Sequence, residues 1–338
     1  MGAKQELMLV PAGEMKARFE AVLLKSGFGN ADATTLAGVF TDNSIDGVYT
    51  HGVNRFPRFI EYVQKGFVQT SATPSLVNSY HGVEQWNGNA GAGILNALAA
   101  TRQSAKLADE HGIGLVTLSN TNHWMRGGTY GREAAKLGCA FIGWTNTIAN
   151  MPAWGAIDAR LGNNPLVIAM PHENDAIVLD MAMSQYSFGA MELAQMKGEE
   201  LLVYGGFDRQ GELTKSPSQI LESKRPVPIG FWKGAGLSLL LDILATVFSG
   251  GSSTADISKR AAEFGLSQVY IAISLRMGSQ PGIAATVKKI LDDYRQSIPE
   301  SESAVITYPG ERVGNTRKRN LEKGIPVIGE VWENILKL

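Results

Sequence analysis

A single cysteine, Cys139, occurs among 338 residues, so no disulfide can form within the chain; its place in the apolar run 139–144 reads as a buried structural thiol in a reducing cytoplasm. Neither sign of charge is in excess. Lys and Arg number 31 against 32 Asp and Glu, a net charge of −1 that supplies no field to attract nucleic acid or an anionic membrane, so any bound anion must be held locally. The first residues lack a basic stretch followed by a long apolar segment. The longest apolar run, 237–248, contains Asp242 and is too short to cross a bilayer, so neither export nor insertion is expected.

Several signatures of chemistry are also missing. The Gly-x-Gly-x-x-Gly dinucleotide fingerprint is absent: Gly88-Asn89-Ala90-Gly91-Ala92-Gly93 has the spacing reversed, and Lys233-Gly234-Ala235-Gly236 lacks the third glycine. There is no Walker A lysine motif and no Gly-x-Ser-x-Gly elbow, and the one cysteine lies in a strand-like run, which disfavours nucleophilic hydrolysis. The 5 histidines, His51, His81, His111, His123 and His172, are scattered, and no pair has zinc-site spacing, so no metal is expected.

Two polar clusters stand against these absences. The run Gly47-Val48-Tyr49-Thr50-His51-Gly52-Val53-Asn54-Arg55-Phe56-Pro57-Arg58-Phe59 gathers an imidazole, hydroxyls, an amide and two guanidinium groups. His51 can exchange a proton near neutral pH, and Arg55 can grip a carboxylate with two parallel hydrogen bonds. Their spacing of four predicts one helical face, with Pro57 tolerated in the first turn. A histidine beside an arginine is also what a solvated capping cluster looks like. The second run, Ser119-Asn120-Thr121-Asn122-His123-Trp124-Met125-Arg126-Gly127-Gly128, follows a strand-like stretch and again offers His, Arg and amides in a loop, which favours a built pocket.

Periodicity places helices at 14–24, from Asn30 onward, and from Phe56 to about Gly66, before a change at Pro74 to short apolar runs. Strands are expected at 75–80, 113–118, 139–145, 166–170 and 176–181, with helices at 93–112 and 129–137 between the early ones. The close succession of 166–170 and 176–181 predicts a mixed, partly antiparallel sheet in an α/β fold. Residues 205–228 read as a long loop, 234–249 as an apolar helix, 268–275 as a strand, 283–298 as a helix, 304–308 as a last strand and 327–338 as a closing helix. The expected organisation is a helical domain, 1–73, joined by 312–338, and a mixed-sheet domain, 74–311, with an inserted loop and helices around 185–230.

Backbone amides at a helix N-terminus can hold a phosphate without either glycine signature. Phe231-Trp232-Lys233-Gly234 precedes the apolar helix: Lys233 can neutralise a phosphate and Trp232 can lie on a flat ring, although a packed helix start explains the pair equally well. Asp180 at a strand end suits ribose hydroxyls, or equally a turn or cap. Pro309-Gly310-Glu311-Arg312 is a comparable place.

Together, Tyr49-Thr50-His51-Gly52-Val53-Asn54-Arg55, Asn122-His123-Trp124-Met125-Arg126-Gly127-Gly128, Asn163-Asn164-Pro165 and Phe231-Trp232-Lys233-Gly234 resemble the malate/L-lactate dehydrogenase family that lacks a Rossmann fold, over nearly the whole chain. That resemblance implies a non-Rossmann mixed sheet flanked by helices, a homodimer, and hydride transfer from NADH, with NADPH as the alternative, to a 2-oxo or diketo sugar acid. It makes His51 the proton donor, although one branch of the family uses the histidine at the position of His123 as acid/base. Thr50, Asn122 and Arg126 join Arg55 as substrate-binding residues. The cofactor segments fall on Ala176, Ile177, Val178, Leu179, Asp180, Met181 and Ala182, on Trp232 and Lys233, and on Gly310, Glu311 and Arg312, with Thr147 added. Thr50 departs from the serine common in relatives but keeps the hydroxyl. Malate, L-lactate, ureidoglycolate or a cyclic imino acid are alternative substrates, and a non-catalytic nucleotide or sugar-acid binding protein is the alternative class.

Overall fold

The N-terminal layer is held by aromatic residues at helical spacing. The computed structural model describes residues 7–278 and 280–338. Strand β1 (Leu7–Val10) leads into α1 (Ala12–Lys25) and α2 (Asn30–Ile45), a 3-10 turn covers Tyr49–His51, and α3 (Phe56–Gln64) follows. Phe19 of α1 stacks on Phe56 of α3 at 4.0 Å, and Phe40 of α2 meets Phe56 edge-on at 5.2 Å. These rings are fully buried and form the floor beneath the His51 turn. His51 is therefore not on α3: Gly52 closes the 3-10 turn and Arg55 is the N-cap just before α3, so the two do not share one helical face as their spacing predicted.

The sheet follows with β2 (Ser75–Tyr80), β3 (Val83–Asn87), α4 (Gly93–His111), β4 (Ile113–Thr121), α5 (Gly128–Lys136) and β5 (Cys139–Thr145). Short strands β6 (Met151–Pro152) and β7 (Ala159–Leu161) pair with each other before the hairpin of β8 (Leu166–His172) and β9 (Asp175–Met181). Next come α6 (Phe188–Lys197), the small ladder of β10 (Gly206–Phe207) with β11 (Leu213–Thr214), α7 (Pro217–Ser223), α8 (Trp232–Ser249) and α9 (Thr254–Ile257). The stretch 205–228, expected as a long loop, thus carries a ladder and a helix. Strand β12 (Leu266–Ser274), α10 (Gln280–Arg295), α11 (Glu311–Lys323), β13 (Ile325–Ile328) and α12 (Gly329–Lys337) complete the chain.

The main sheet has 7 strands in the order β2-β3-β4-β12-β5-β8-β9. Only β3 and β4 run parallel; the other neighbours are antiparallel, so the sheet is mixed as the pattern predicted. The late strand β12 separates β4 from β5, and residues 266–270 are buried on both faces. Alternation sorts its side chains: Tyr270 joins Phe141 and the α4 and α5 residues on one face, Val269 joins Trp144 and the α8 residues on the other.

Two other expectations fail at the C-terminal end. Residues 304–308 form no strand; Val178 of the edge strand β9 donates instead to the carbonyl of Pro309 at 3.2 Å, and proline has no N–H to return. The stretch 327–338 is not all helix, because β13 pairs antiparallel with β1 before α12 begins. That pairing, with Arg18 donating to the Ile335 carbonyl at 3.2 Å, brings both ends of the chain together beside the N-terminal helices. Helix α8 has 18 residues, more than the run read from sequence, and is long and apolar enough to cross a membrane by length and composition. Its Asp242 accepts hydrogen bonds from Asn146 Nδ2 and the Thr254 N–H, both at 2.9 Å, which fastens one side of it to the sheet.

Candidate active site

The His51 turn sits where a side chain at position 52 cannot be accommodated. A Cβ on Gly52 would lie 2.3 Å from Ser44 Oγ and 2.9 Å from the Ser44 nitrogen. The Ser44 hydroxyl instead donates to the Phe40 carbonyl and accepts the Val53 N–H, both at 2.8 Å, while Asn43 Nδ2 holds the His51 carbonyl at 3.0 Å. The second loop is fixed in a similar way. A Cβ on Gly93, the first residue of α4, would fall 2.2 Å from the Asn122 carbonyl and 2.3 Å from that of His123, so the glycine-rich run serves backbone packing here. Met125, at φ 65°, donates its N–H to His123 Nδ1 at 2.9 Å. An acceptor Nδ1 leaves the His123 proton on Nε2.

These two turns bring the imidazoles together, with ring centroids 5.6 Å apart and planes at 22°. Thr50 Oγ1 lies 3.3 Å from His51 Nδ1. Burial, then the positive charges of Arg55 and Arg126, push the His51 pKa from 6.5 down to about 4; burial, Arg55 and His51 itself hold His123 well below its ordinary value. His51 is thus neutral in the free protein at neutral pH, and the cause is burial and guanidinium charge.

Arg55 lines a small cleft with Arg58, Phe59, Tyr62, Asn122, His123 and Met125. Asn122 is spent on structure: its Nδ2 donates to the carbonyls of Phe67, Ala90 and Gly91, leaving a buried Oδ1 without a protein partner. Arg126 is committed to Asp46, which also receives Arg132 at 2.6 Å and Arg317 at 2.8 Å. Three guanidinium groups keep that carboxyl below its ordinary value despite its burial. Sequence reasoning passed over Asp46 because a carboxylate after an apolar helix reads as a cap.

Asp180 Oδ2 accepts the Gly128 N–H at 2.7 Å, the first amide of α5, so the capping alternative is realised. The residue is still open to solvent on one side, while the protein around it pushes its carboxyl up. Gly310 backs onto Val178 of the same strand, its absent Cβ 3.3 Å from the Val178 nitrogen; Glu311 Oε1 bonds Arg295 at 2.6 Å, and Arg312 is exposed. Beyond β9, Met183 accepts the Ile229 N–H at 2.8 Å, which draws the start of α8 toward the end of β9. There Trp232 is 64% exposed and Lys233 Nζ sits 6.0 Å from its ring centroid. Thr147 is buried and bonded to Asn163 at 3.1 Å and Asn164 at 3.0 Å, a structural tie. Among the described residues no cluster of His, Cys, Asp and Glu could hold a metal ion.

This seven-stranded mixed sheet with its helical layer has counterparts in known proteins. The family model for malate/L-lactate dehydrogenase matches residues 10–336. The chain belongs to the malate/L-lactate dehydrogenase family. As a member it is an oxidoreductase, and the family points to a nicotinamide cofactor. It is 40% identical over 333 residues to a 2,3-diketo-L-gulonate reductase of Escherichia coli O1:K1 / APEC, covering 98% of this chain and 100% of that one, which supports a reductase. Malate dehydrogenase from Entamoeba histolytica shares the fold at a TM-score of 0.92 and 23% identity, covering 98% and 97% of the two chains. Sulfolactate dehydrogenase from Methanocaldococcus jannaschii does so at 0.88 and 25%, covering 98% and 96%.

Proposed function

We propose that the chain reduces the C2 ketone of 2,3-diketo-L-gulonate, or a similar 2-oxo sugar acid, to give 3-dehydro-L-gulonate, with NADH as the expected cofactor and NADPH as the alternative. The observation that carries this reading is the pair of imidazoles 5.6 Å apart, of which His123 lines a cleft that also presents Arg55. A proton donor, a hydrogen-bond donor and a carboxylate anchor converge there, as reduction of a ketone beside a carboxylate requires. The cofactor set has the right chemistry too. Asp180 offers an open carboxylate for ribose hydroxyls, Trp232 an exposed flat face, and Lys233 and Arg312 exposed cations for phosphates.

The nicotinamide supplies the hydride. Arg55 grips the substrate carboxylate, His123 offers its Nε2–H to the carbonyl oxygen, and His51 delivers a proton to the oxygen as negative charge grows on it. A carboxylate on Arg55 offsets the charge that depresses His51, so binding of the anionic substrate favours the protonated donor. The helical part, 1–73 with 312–338, carries His51, Arg55 and Arg312, the mixed-sheet part carries the other cofactor residues, and a homodimer is the working assembly.

Loss of NADH absorbance with 2,3-diketo-L-gulonate tests the reading, with other 2-oxo acids alongside. His51→Ala is expected to lose on the order of 10²- to 10⁴-fold in kcat while still binding NADH. Near-equal turnover by that variant would remove His51 as donor. Abolition in His123→Ala, with binding intact and His51→Ala active, would exchange the roles. Absence of turnover on every 2-oxo acid, with NADH bound, would favour the non-catalytic binding protein.

A further inference from the structure

Gln268 puts an amide in the middle of the main sheet, on β12, fully buried. Such a group is tolerated where both of its ends are paired. Its Oε1 accepts the Tyr270 hydroxyl at 2.6 Å, two residues along on the same face of the strand, and its Nε2 donates to the backbone carbonyl of Asn122 at 3.2 Å, 146 residues away in sequence. The carbonyl of Trp124 is held as well, by the hydroxyl of the fully buried Tyr130. Tyr270 links the two grips, since its ring meets Trp124 edge-on at 5.9 Å and Tyr130 at 6.3 Å. The carbonyls of the residues on either side of His123 are thus each fixed by a buried side chain.

What these grips hold is strained. Met125 is a non-glycine residue at φ 65°, a conformation that persists only where its surroundings impose it. Its N–H, the donor to His123 Nδ1 at 2.9 Å, belongs to the same planar peptide unit as the Trp124 carbonyl, so fixing that carbonyl fixes the direction of the N–H. The Asn122 carbonyl shares its plane with the His123 nitrogen in the same way. We propose that Gln268 and Tyr130 are positioning residues for His123: by setting the peptide planes before and after it they keep the Met125 N–H on Nδ1 and the imidazole proton on Nε2, directed at the substrate carbonyl. This rests on the reductase reading above.

Nitrogen NMR of the full chain carrying isotope-labelled histidine reads the tautomer directly, with the His123 signals assigned by their loss in His123→Gln. The unmodified chain is expected to show His123 protonated on Nε2 alone. Tyr130→Phe, which removes a single hydroxyl, and Gln268→Leu are each expected to bring signal from the Nδ1-protonated form as the Met125 N–H turns away. They should also lower kcat about tenfold with NADH affinity unchanged, the loss of roughly one hydrogen bond to the transition state. A general loosening of the fold would weaken NADH binding along with kcat and would not select a tautomer. His123 remaining on Nε2 alone in a folded variant overturns the role of the residue changed, and an Nδ1-protonated His123 in the unmodified chain overturns the whole proposal. If Gln268→Leu does not fold, Tyr270→Phe, which frees the Gln268 amide and keeps the ring, decides its role by the same signal. The two readings fail separately: no turnover of any 2-oxo acid by the unmodified chain sinks the reductase, whereas intact turnover with an unmoved tautomer in the variants sinks only the positioning role.

Discussion

A histidine whose pKa has been driven to about 4 is a poor acid at neutral pH until something restores its proton. His51 is depressed by burial and by the charges of Arg55 and Arg126, and an anion seated on Arg55 reverses the second of these. Reduction consumes a proton, so activity falls as pH rises through the donor's pKa. In kcat/KM that fall reports the free enzyme, and in kcat the complex with substrate. The midpoint in kcat is therefore expected at higher pH than the midpoint in kcat/KM, by at least one pH unit. Initial-rate profiles from about pH 3 to 9, which span the free-enzyme value of about 4, check this, and coincident midpoints would show that substrate charge does not reach His51. The sequence displayed both imidazoles and Arg55, since each is a chemically conspicuous residue in a polar run. It hid Asp46, whose effect arises only when segments 80 or more residues apart meet: Asp46 with Arg126 and Arg317.

At the scale of elements, the site depends on how turns are pressed against helices. Gly52 packs against backbone atoms of α2 that cannot move aside, so Gly52→Ala must displace the 49–51 turn. The expected cost is about 1–3 kcal/mol of stability from overpacking, with a loss in kcat on the order of 10²-fold from misplacement of His51. Urea unfolding and kcat measured together decide it; full activity in a destabilised variant would mean that the turn does not position the donor. Asp46 ties the end of α2 to α5 and α11 through three arginines. Asp46→Asn leaves those charges without their partner in a buried place and is expected to destabilise by about 3–5 kcal/mol, read as a lower urea midpoint. Strands with β-branched or alternating apolar residues were legible to within a few positions, two of them, 75–80 and 139–145, with the observed ends. Strand β3 was not, because Val-Glu-Gln-Trp-Asn carries no alternating apolar pattern and is held by its neighbours β2 and β4. The reverse error fell at 304–308, a strand-like composition whose neighbourhood meets the edge strand β9 through the Pro309 carbonyl alone, with no N–H from that proline to continue a ladder.

For the molecule as a whole, α8 is the element whose burial is incomplete. Gly234, Ala235, Ser238, Leu241, Ala245 and Ser249 are buried at a spacing of three or four and face the sheet. The opposite side exposes Leu240 at 55%, Ile243 at 45% and Val247 at 67%, so the helix is apolar around most of its circumference but covered on one side. A contiguous apolar face of this kind calls for a covering surface. A second copy fits the homodimer proposed above: the same helix would present the same residues across a two-fold axis, each buried side chain contributing about 1.5–3 kcal/mol. Light scattering on the unmodified chain is expected to give twice the mass of one chain. Leu240→Glu combined with Val247→Glu places charge on that face without touching the side that packs on β12, and should give single chains. Because Trp232 and Lys233 begin the same helix, NADH affinity should fall with the dimer if the pairing holds that end in place. A dimer that survives both substitutions with unchanged mass would assign the interface to another surface and leave the exposed face of α8 to a different partner.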